Sequence, residues 1–560
     1  MTVRRVMGME TEYGIADAHN PRANILALCA QIVETYGTSG SASRVGDPVH
    51  WDYAGESPLN DARGYKISRS AAHPSLLTDD PDRPAPSGES SPGVGACGLD
   101  GSSVDDVGVS DDVMNSYSRV RRPSEAELAL PKAPNAVLTN GARFYVDHAH
   151  PEYSAPEVIS PKEAVMWDRA GDVIAREAMD LARSHGLDIV LYKNNLDGKG
   201  SAYGTHENYL MARSVDFRTV IKVLTPFLVT RPIICGAGRV GLGKFSEHEG
   251  FQISQRADYI ENDIGIETTF NRPIINTRDE AHADERIYRR LHVINGDANQ
   301  FDVSNFLKLG STSLVLWLLE HVPTSLETLI SQVQIAEPVS ANQIVSRDLS
   351  MRATLDMSDG SQKTAIDIQR LYLDTSRRAL EQAGEIDGDT AQVLQLWEEV
   401  LDALSGDIYS AAPRVEWVAK LQMLESLRAR GAMSWGDDRL KAFDFQWHDL
   451  RLERSIVNRL DQVGRIERLI SPRDALWASI HAPGSTRAFL RGELIARFPE
   501  AVTSAGWEAV TLDIPGCSDL VRLPMLYPER ATCELVGKLL EEAGSISDFL
   551  QRLSAVPVCA

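Results

Sequence analysis

Between Arg143 and Ser154 a cation, a phenol, two carboxylates and a hydroxyl stand at alternate positions: Arg143, Tyr145 and Asp147 in RFYVD, then Glu152 and Ser154 in PEYS. With Phe144 and Val146 between them, the run has the period of a β-strand with one wet and one dry face. Pro151 has no N–H to give a ladder and is expected to bend or end that strand. The polar groups then converge on one small volume. Strands that serve structure alone rarely crowd so many polar groups on one side, although the solvated face of an antiparallel sheet is the plainer alternative.

A second alternating run, VMGMETEYGI (Val6–Ile15), sets Glu10 and Glu12 on one face and Met7 and Met9 on the other. Adjacent carboxylates repel unless a cation or solvent takes up their charge. Mg²⁺ typically takes one or two carboxylates together with substrate phosphates; taken by itself, the run reads more plainly as an exposed strand end with two solvated acids. A third group lies in NNLDGKGSAYGTHENYLM (Asn194–Met211), where His206 and Asn208 suit a nucleotide or an amide and Glu207 a metal. A polar turn that satisfies its own backbone is the alternative there.

Arg272, Arg278, Arg289 and Arg290 fall within Asn271–Asn299 and offer planar donors for carboxylate or phosphate. Ion pairs with Asp279, Glu280, Asp284 and Glu285 are the competing account. RPIICGAGRVGLGKF (Arg231–Phe245) matches G-x-G-x-x-G and the start of a P-loop. Both motifs need a strand before and a helix after. A strand is plausible upstream, but FSEHEG is no helix and Phe245 replaces the hydroxyl residue, so both are set aside.

These groups need elements to hold them. Helical spacing runs from Asn24 to Tyr36 and stops at Gly37; Ser160 caps a helix from Pro161 to His185 that Gly186 ends; Asp188–Asn194 returns as a strand. From Phe306 to Arg430 amphipathic helices dominate, at Ser311–His321, Thr364–Gly384, Asp389–Ser405 and Glu416–Arg430. Trp507 opens an alternating strand that runs to Ile514. Thr38 to about Pro134 is rich in Ser, Gly, Pro and Asp and does not read as core; Thr78–Val113 within it reads as disordered or a mobile insertion. One island inside it, WDYAGESPLNDARGYKISR (Trp51–Arg69), mixes aromatic anchors with charges and reads as a lid or recognition loop.

The 560 residues exceed a usual single domain. A net charge of −22 argues against a nucleic-acid surface and against anionic membranes. No apolar run approaches a membrane span, and the first residues lead into a strand rather than a signal-peptide core. Six scattered cysteines with no CxxC pair suit a reducing cytoplasm and give no support for structural zinc.

Taken together, METEYGI, NGARFYVDHAHPEYSAPE, NN…YGTHENYL, RPIINTRDEAHADERIYRRLHVI and DFQWHDL resemble the Pup ligase and Pup deamidase/depupylase family, which is related to glutamine synthetase. The island WDYAGESPLNDARG resembles a loop of the deamidase branch that the ligase branch lacks. The resemblance implies an α+β, glutamine-synthetase-like fold: a curved antiparallel sheet packed with helices over residues 1–480, carrying a partly disordered insertion at about 38–134, and a small C-terminal α/β domain at 481–560.

It further implies ATP and Mg²⁺ as bound cofactors, the nucleotide not being consumed. At matching positions Glu10, Tyr145 and Glu152 are implied Mg²⁺ ligands, Arg143, Ser154 and Trp507 nucleotide contacts, and Asp147 the catalytic carboxylate, as nucleophile or general base. The implied reaction is hydrolysis of the C-terminal glutamine side-chain amide of Pup, and of the isopeptide bond that joins Pup to a target lysine. Pup and pupylated proteins are the implied partners, with the proteasomal ATPase a further candidate. The alternative is an ATP-consuming Pup–protein ligase. The Arg-rich Asn271–Asn299 region is a candidate for the C-terminal carboxylate of Pup.

Overall fold

The computed structural model describes residues 3–39, 49–73, 76–77, 118–124 and 134–555, so the Thr78–Val113 stretch lies outside the described residues. Six strands form the central sheet: β1 (Met7–Glu12), β4 (Asn135–Val137), β5 (Arg143–Asp147), β6 (His150–Ser154), β7 (Thr205–Ala212) and β8 (Tyr288–Val293). Every pairing in it is antiparallel, in the order β8-β7-β1-β6-β5-β4. Helices cover its dry face, which gives the α+β class expected.

The alternation in sequence explains which face is which. Met7, Met9, Phe144, Tyr153 and Tyr209 point into the main core and are almost wholly buried. Each such large side chain contributes about 1.5–3 kcal/mol on leaving water. They pack against α1 (Ile25–Gly37, capped by Asn24), α2 (Pro161–Ser184, capped by Ser160) and α3 (Asp302–His321). Under β1 the same parity continues with polar tips: Thr11 and Tyr13 hydroxyls reach Asp168 and Asp172 of α2, which share the buried ammonium of Lys193. Helices at Ala365–Ala383, Gly388–Ser405 and Glu416–Gly431 match the amphipathic runs closely.

A second sheet joins β2 (His50–Trp51), β3 (Ser118–Val120), β9 (Val502–Ala505), β10 (Ala509–Leu512) and β11 (Leu520–Pro524) in the order β2-β9-β10-β11-β3. Its outer strands come from segments flanking the low-complexity stretch, and Trp51 is buried in its core beside Val510 and Leu512. The strand after Trp507 is therefore shorter than its alternation suggests, beginning at Ala509 and ending at Leu512.

Two local expectations change. The chain reverses at His148 and Ala149, two residues before Pro151, with His148 at φ 51°. Pro151 then sits within β6 opposite Val146, and its carbonyl still accepts from Tyr13. Upstream of GAGRVG lies a short helix, Pro232–Cys235, rather than a strand, so the glycine motif fails on both sides. Among the described residues no helix is long and apolar enough to cross a membrane.

Candidate functional site

Register builds the site. Arg143 stands opposite Ser154, Ser154 opposite Glu10, and Glu10 opposite His206. In the next row Tyr145 faces Glu152 and Glu152 faces Glu12. Asn208 and His292 pair at the far side of the sheet, with Arg290 on the same face. Directly opposed side chains in antiparallel strands are ~5 Å apart, so the rows form one polar trough on the wet face.

Three carboxylates crowd its middle. One oxygen each of Glu12, Asp147 and Glu152 lies within 4.8 Å of the others. The Tyr145 hydroxyl donates to Glu152 Oε1 at 2.5 Å and the Ser154 hydroxyl reaches the same oxygen at 3.1 Å. Burial, then the charges of Asp147, Glu10 and Glu12, pushes the Glu152 carboxyl well above the usual carboxylate range. Asp147 behaves oppositely. Burial works against its ionisation, but His148 Nδ1 at 2.8 Å from Oδ2, followed by His206 and Arg143, holds it below its ordinary value. Its side chain keeps 26% exposure, enough to meet a ligand.

Beside this group Glu10 forms another, with His206 and His292 again within 4.8 Å. Asn208 Nδ2 donates to Glu10 at 2.9 Å and His206 Nδ1 lies 3.1 Å from it. Despite burial, these histidines and Arg290 hold the Glu10 carboxyl far below its usual range. Thus Glu152 and Glu10, expected together as ligands with Tyr145, lie in adjoining groups, and Tyr145 bonds to Glu152. Glu207 is elsewhere. Its parity turns it to the core, where Arg231 clamps both oxygens at 2.7 Å and the Tyr209 hydroxyl donates at 2.6 Å. The expectation of a metal ligand at Glu207 is thereby corrected.

Arg143 is held by aromatics. Its guanidinium carbon lies 3.7 Å from the Tyr145 ring centroid, 4.1 Å from Trp51 and 5.5 Å from Tyr53. Nε donates to Asn135 at 3.1 Å and Nη2 to the Tyr53 hydroxyl at 3.2 Å. Trp507 meets Trp51 edge to face, at 5.0 Å between centroids. It also lines one cleft with Glu10, Ser154, Asn208 and Arg290. The structure therefore gathers all seven expected positions around the trough, Trp507 arriving from the second sheet.

Trp51 and Tyr53 were legible as anchors of a docking loop but not as holders of Arg143. Glu12 was visible as half of a pair, and His292 follows Arg290 at strand period in YRRLHVI. The Arg-rich segment divides. Arg290 donates to Asn208 at 2.7 Å and to Glu280, and Arg289 lies 3.9 Å from Asp279. Arg272 is spent on the carbonyls of Thr268 and Ala202, while Asp284 pairs with Arg286 instead. Arg278 reaches Glu280 only at 3.8 Å, and its buried Nε and Nη2 have no partner.

A family model described as Pup-ligase protein matches residues 5–511. The chain is 41% identical to a depupylase of Acidothermus cellulolyticus, over 99% of each protein. It is also 41% identical to a Pup deamidase/depupylase of Mycobacterium tuberculosis, over 99% of this chain and 100% of that one. A Pup–protein ligase of Acidimicrobium ferrooxidans is 38% identical over 66% of this chain and 81% of its own. Among solved structures, the Pup ligase PafA in complex with Pup superposes with a TM-score of 0.70 at 27% identity, covering 98% of this chain and 95% of that one. PafA in complex with ADP gives 0.66 at 31% identity, covering 78% and 98%.

Proposed function

This chain belongs to the Pup-ligase protein family, and from that membership we propose that it hydrolyses the side-chain amide of the C-terminal glutamine of Pup and the isopeptide bond that joins Pup to lysine on tagged proteins. The observation that carries the reading is Asp147: ionised, partly exposed and set among Glu12 and Glu152 in the trough. Hydrolase is preferred over ligase because the relatives matched from end to end are named for depupylation or deamidation, whereas the ligase match spans two thirds of the chain.

The donor set suits a magnesium-bound nucleotide. Glu12, Asp147 and Glu152 supply only oxygens, which a hard cation requires, and like-charge crowding at Glu152 calls for a cation nearby. Glu10, Glu152 and the Tyr145 oxygen are the proposed Mg²⁺ contacts, with Glu12 alongside. Bound there, the cation neutralises carboxylates and polarises a neighbouring oxygen. ATP is the proposed nucleotide, by analogy with the ADP held by PafA, and the cleft bounded by Ser154, Arg290 and Trp507 is its proposed place, with Arg143 at the trough floor.

In this arrangement Asp147 acts on the amide carbon or on the water that attacks it, and either task requires the carboxylate its neighbours keep ionised. Arg143 cannot swing away, being fixed between Trp51 and Tyr145. It supplies a preorganised positive charge, the kind of donor worth about 3–4 kcal/mol to an oxyanion. The test is ammonia release from Pup ending in glutamine, with a non-hydrolysable ATP analogue. Continued release supports hydrolysis with nucleotide as cofactor; release that stops assigns the chain to ATP-consuming ligation.

A further inference from the structure

Arg256 is 1% exposed, yet only one edge of its guanidinium is used: Nη1 donates to the carbonyl of Ile294, while Nε and Nη2 are buried without a partner. Burying donors unpaired costs free energy that a fold does not normally leave unrecovered. Its surroundings place it at the trough. Gln255, beside it, accepts from the Asn195 N–H at 2.9 Å; Asn195 donates to the Tyr203 carbonyl at 3.1 Å; and the N–H of Gly204, next in the chain, donates to Glu12 Oε2 at 2.7 Å. Tyr203 stacks on His150, which pairs with Asp147 across the hairpin. Arg272 lies alongside, bonded to the carbonyl of Ala202. Two guanidinium groups thus flank the Glu12 end, away from the cleft that Trp507 closes at the Glu10 end.

We propose that Arg256 binds the main-chain carboxylate of the substrate's C-terminal residue, and so restricts the site to terminal glutamine. The inference rests on the amide-hydrolase reading above and deepens it. When a glutamine side-chain amide sits over Asp147, the α-carbon lies only two methylenes away, so a terminal residue brings a second anion into a trough already rich in carboxylates. That anion needs a fixed cation within the site. Arg290 lines the nucleotide cleft and is already bonded; Arg278 also has unpartnered Nε and Nη2, but it stands 3.8 Å from the Glu280 carboxylate, so its charge is already met. Arg256 has two free donors in the fork geometry that suits a carboxylate. An internal glutamine, whose carbonyl is a neutral amide, leaves those donors unpaired and is rejected for that reason.

The experiment compares Pup ending in glutamine as the free acid with the same protein ending in the α-carboxamide, measuring ammonia release and, separately, binding of each by fluorescence anisotropy. With the unmodified enzyme, amidation is expected to lower both affinity and kcat/KM by about tenfold to a hundredfold, the span of one charge-assisted pair. In Arg256→Met the free acid falls to the level of the amide and discrimination disappears, while nucleotide affinity and thermal midpoint stay put. Equal handling of acid and amide by the unmodified enzyme overturns the proposal and leaves the hydrolase reading intact. So does discrimination that survives in Arg256→Met. Discrimination in binding without ammonia release supports the subsite and counts against the hydrolase instead. The acid–amide comparison needs no variant, so a failure of Arg256→Met to fold does not spare the idea.

Discussion

Trp51 and Trp507 meet edge to face at 5.0 Å, so the island near the amino terminus and the carboxyl-terminal sheet complete the wall of the trough together. Trp51 also lies against Arg143, 4.1 Å from guanidinium carbon to ring centroid. A desolvated cation–π contact of this kind is worth about 2 kcal/mol. Trp51→Ala should therefore weaken nucleotide binding by roughly tenfold or more, measured by calorimetry, and Trp51→Phe by much less. Unchanged affinity in Trp51→Ala would show that Arg143 does not need its stack.

Glu152 carries a prediction about pH. Its folded carboxyl titrates well above the ordinary glutamate range, driven by burial and by Asp147, Glu10 and Glu12. A group raised in this way contributes stability below its unfolded value, and that contribution is lost as pH rises. Without a divalent cation the protein should lose stability above about pH 4.5 from this source, and Mg²⁺ should restore it. The gain in thermal midpoint on adding Mg²⁺ is expected to be larger at about pH 8 than at about pH 5. Asp147 shifts the other way, so its contribution is lost only as pH falls, outside this window. A gain that shrinks as pH rises would contradict the crowding of carboxylates.

Glu157 ties the two sheets together. Its oxygens take Arg487 at 2.6 Å and Arg491, which also reaches the Gly141 carbonyl at 2.9 Å, one turn before β5. Although burial opposes it, the two arginines bring the carboxyl down to about 2. Breaking one partner of a buried pair costs about 3–5 kcal/mol. Glu157→Gln should show that loss in urea unfolding, together with weaker nucleotide binding because Arg491 lies 5.0 Å from the Trp507 ring. Loss of stability with full nucleotide affinity would separate the clamp from the cleft.

Parity was what the sequence made legible. Strand period alone placed Arg143, Tyr145, Asp147, Glu10 and Glu12 on wet faces and Met7, Met9 and Phe144 on dry ones, as core membership of the second set and the mutual contacts of the first show. The same rule, applied to β7, turns Glu207 inward and His206 outward, and it overrides the chemical appeal of Glu207 as a ligand. What the sequence did not disclose was register between distant strands. That Glu12 stands opposite Glu152, or that Trp51 reaches Arg143 from ninety-odd residues away, depends on long-range pairing that no local period encodes. The proline at 151 misled for a related reason: a residue without an N–H fits a strand wherever the ladder does not ask for one.

Asp147→Asn removes the charge that the mechanism uses while keeping the shape. Ammonia release and isopeptide cleavage should both fall by at least about a thousandfold, because the amide is neither a nucleophile nor a base at neutral pH. Affinity for Pup should change little, since the carboxylate is one contact among many. The same substitution lowers the negative charge beside Glu152, so that carboxyl should ionise more readily and the protein without cation should become more stable near neutral pH, not less. Loss of activity with a raised thermal midpoint is thus the joint signature of a charged group held at a cost for chemistry. Lost activity accompanied by a lowered midpoint would mark Asp147 as a structural residue instead.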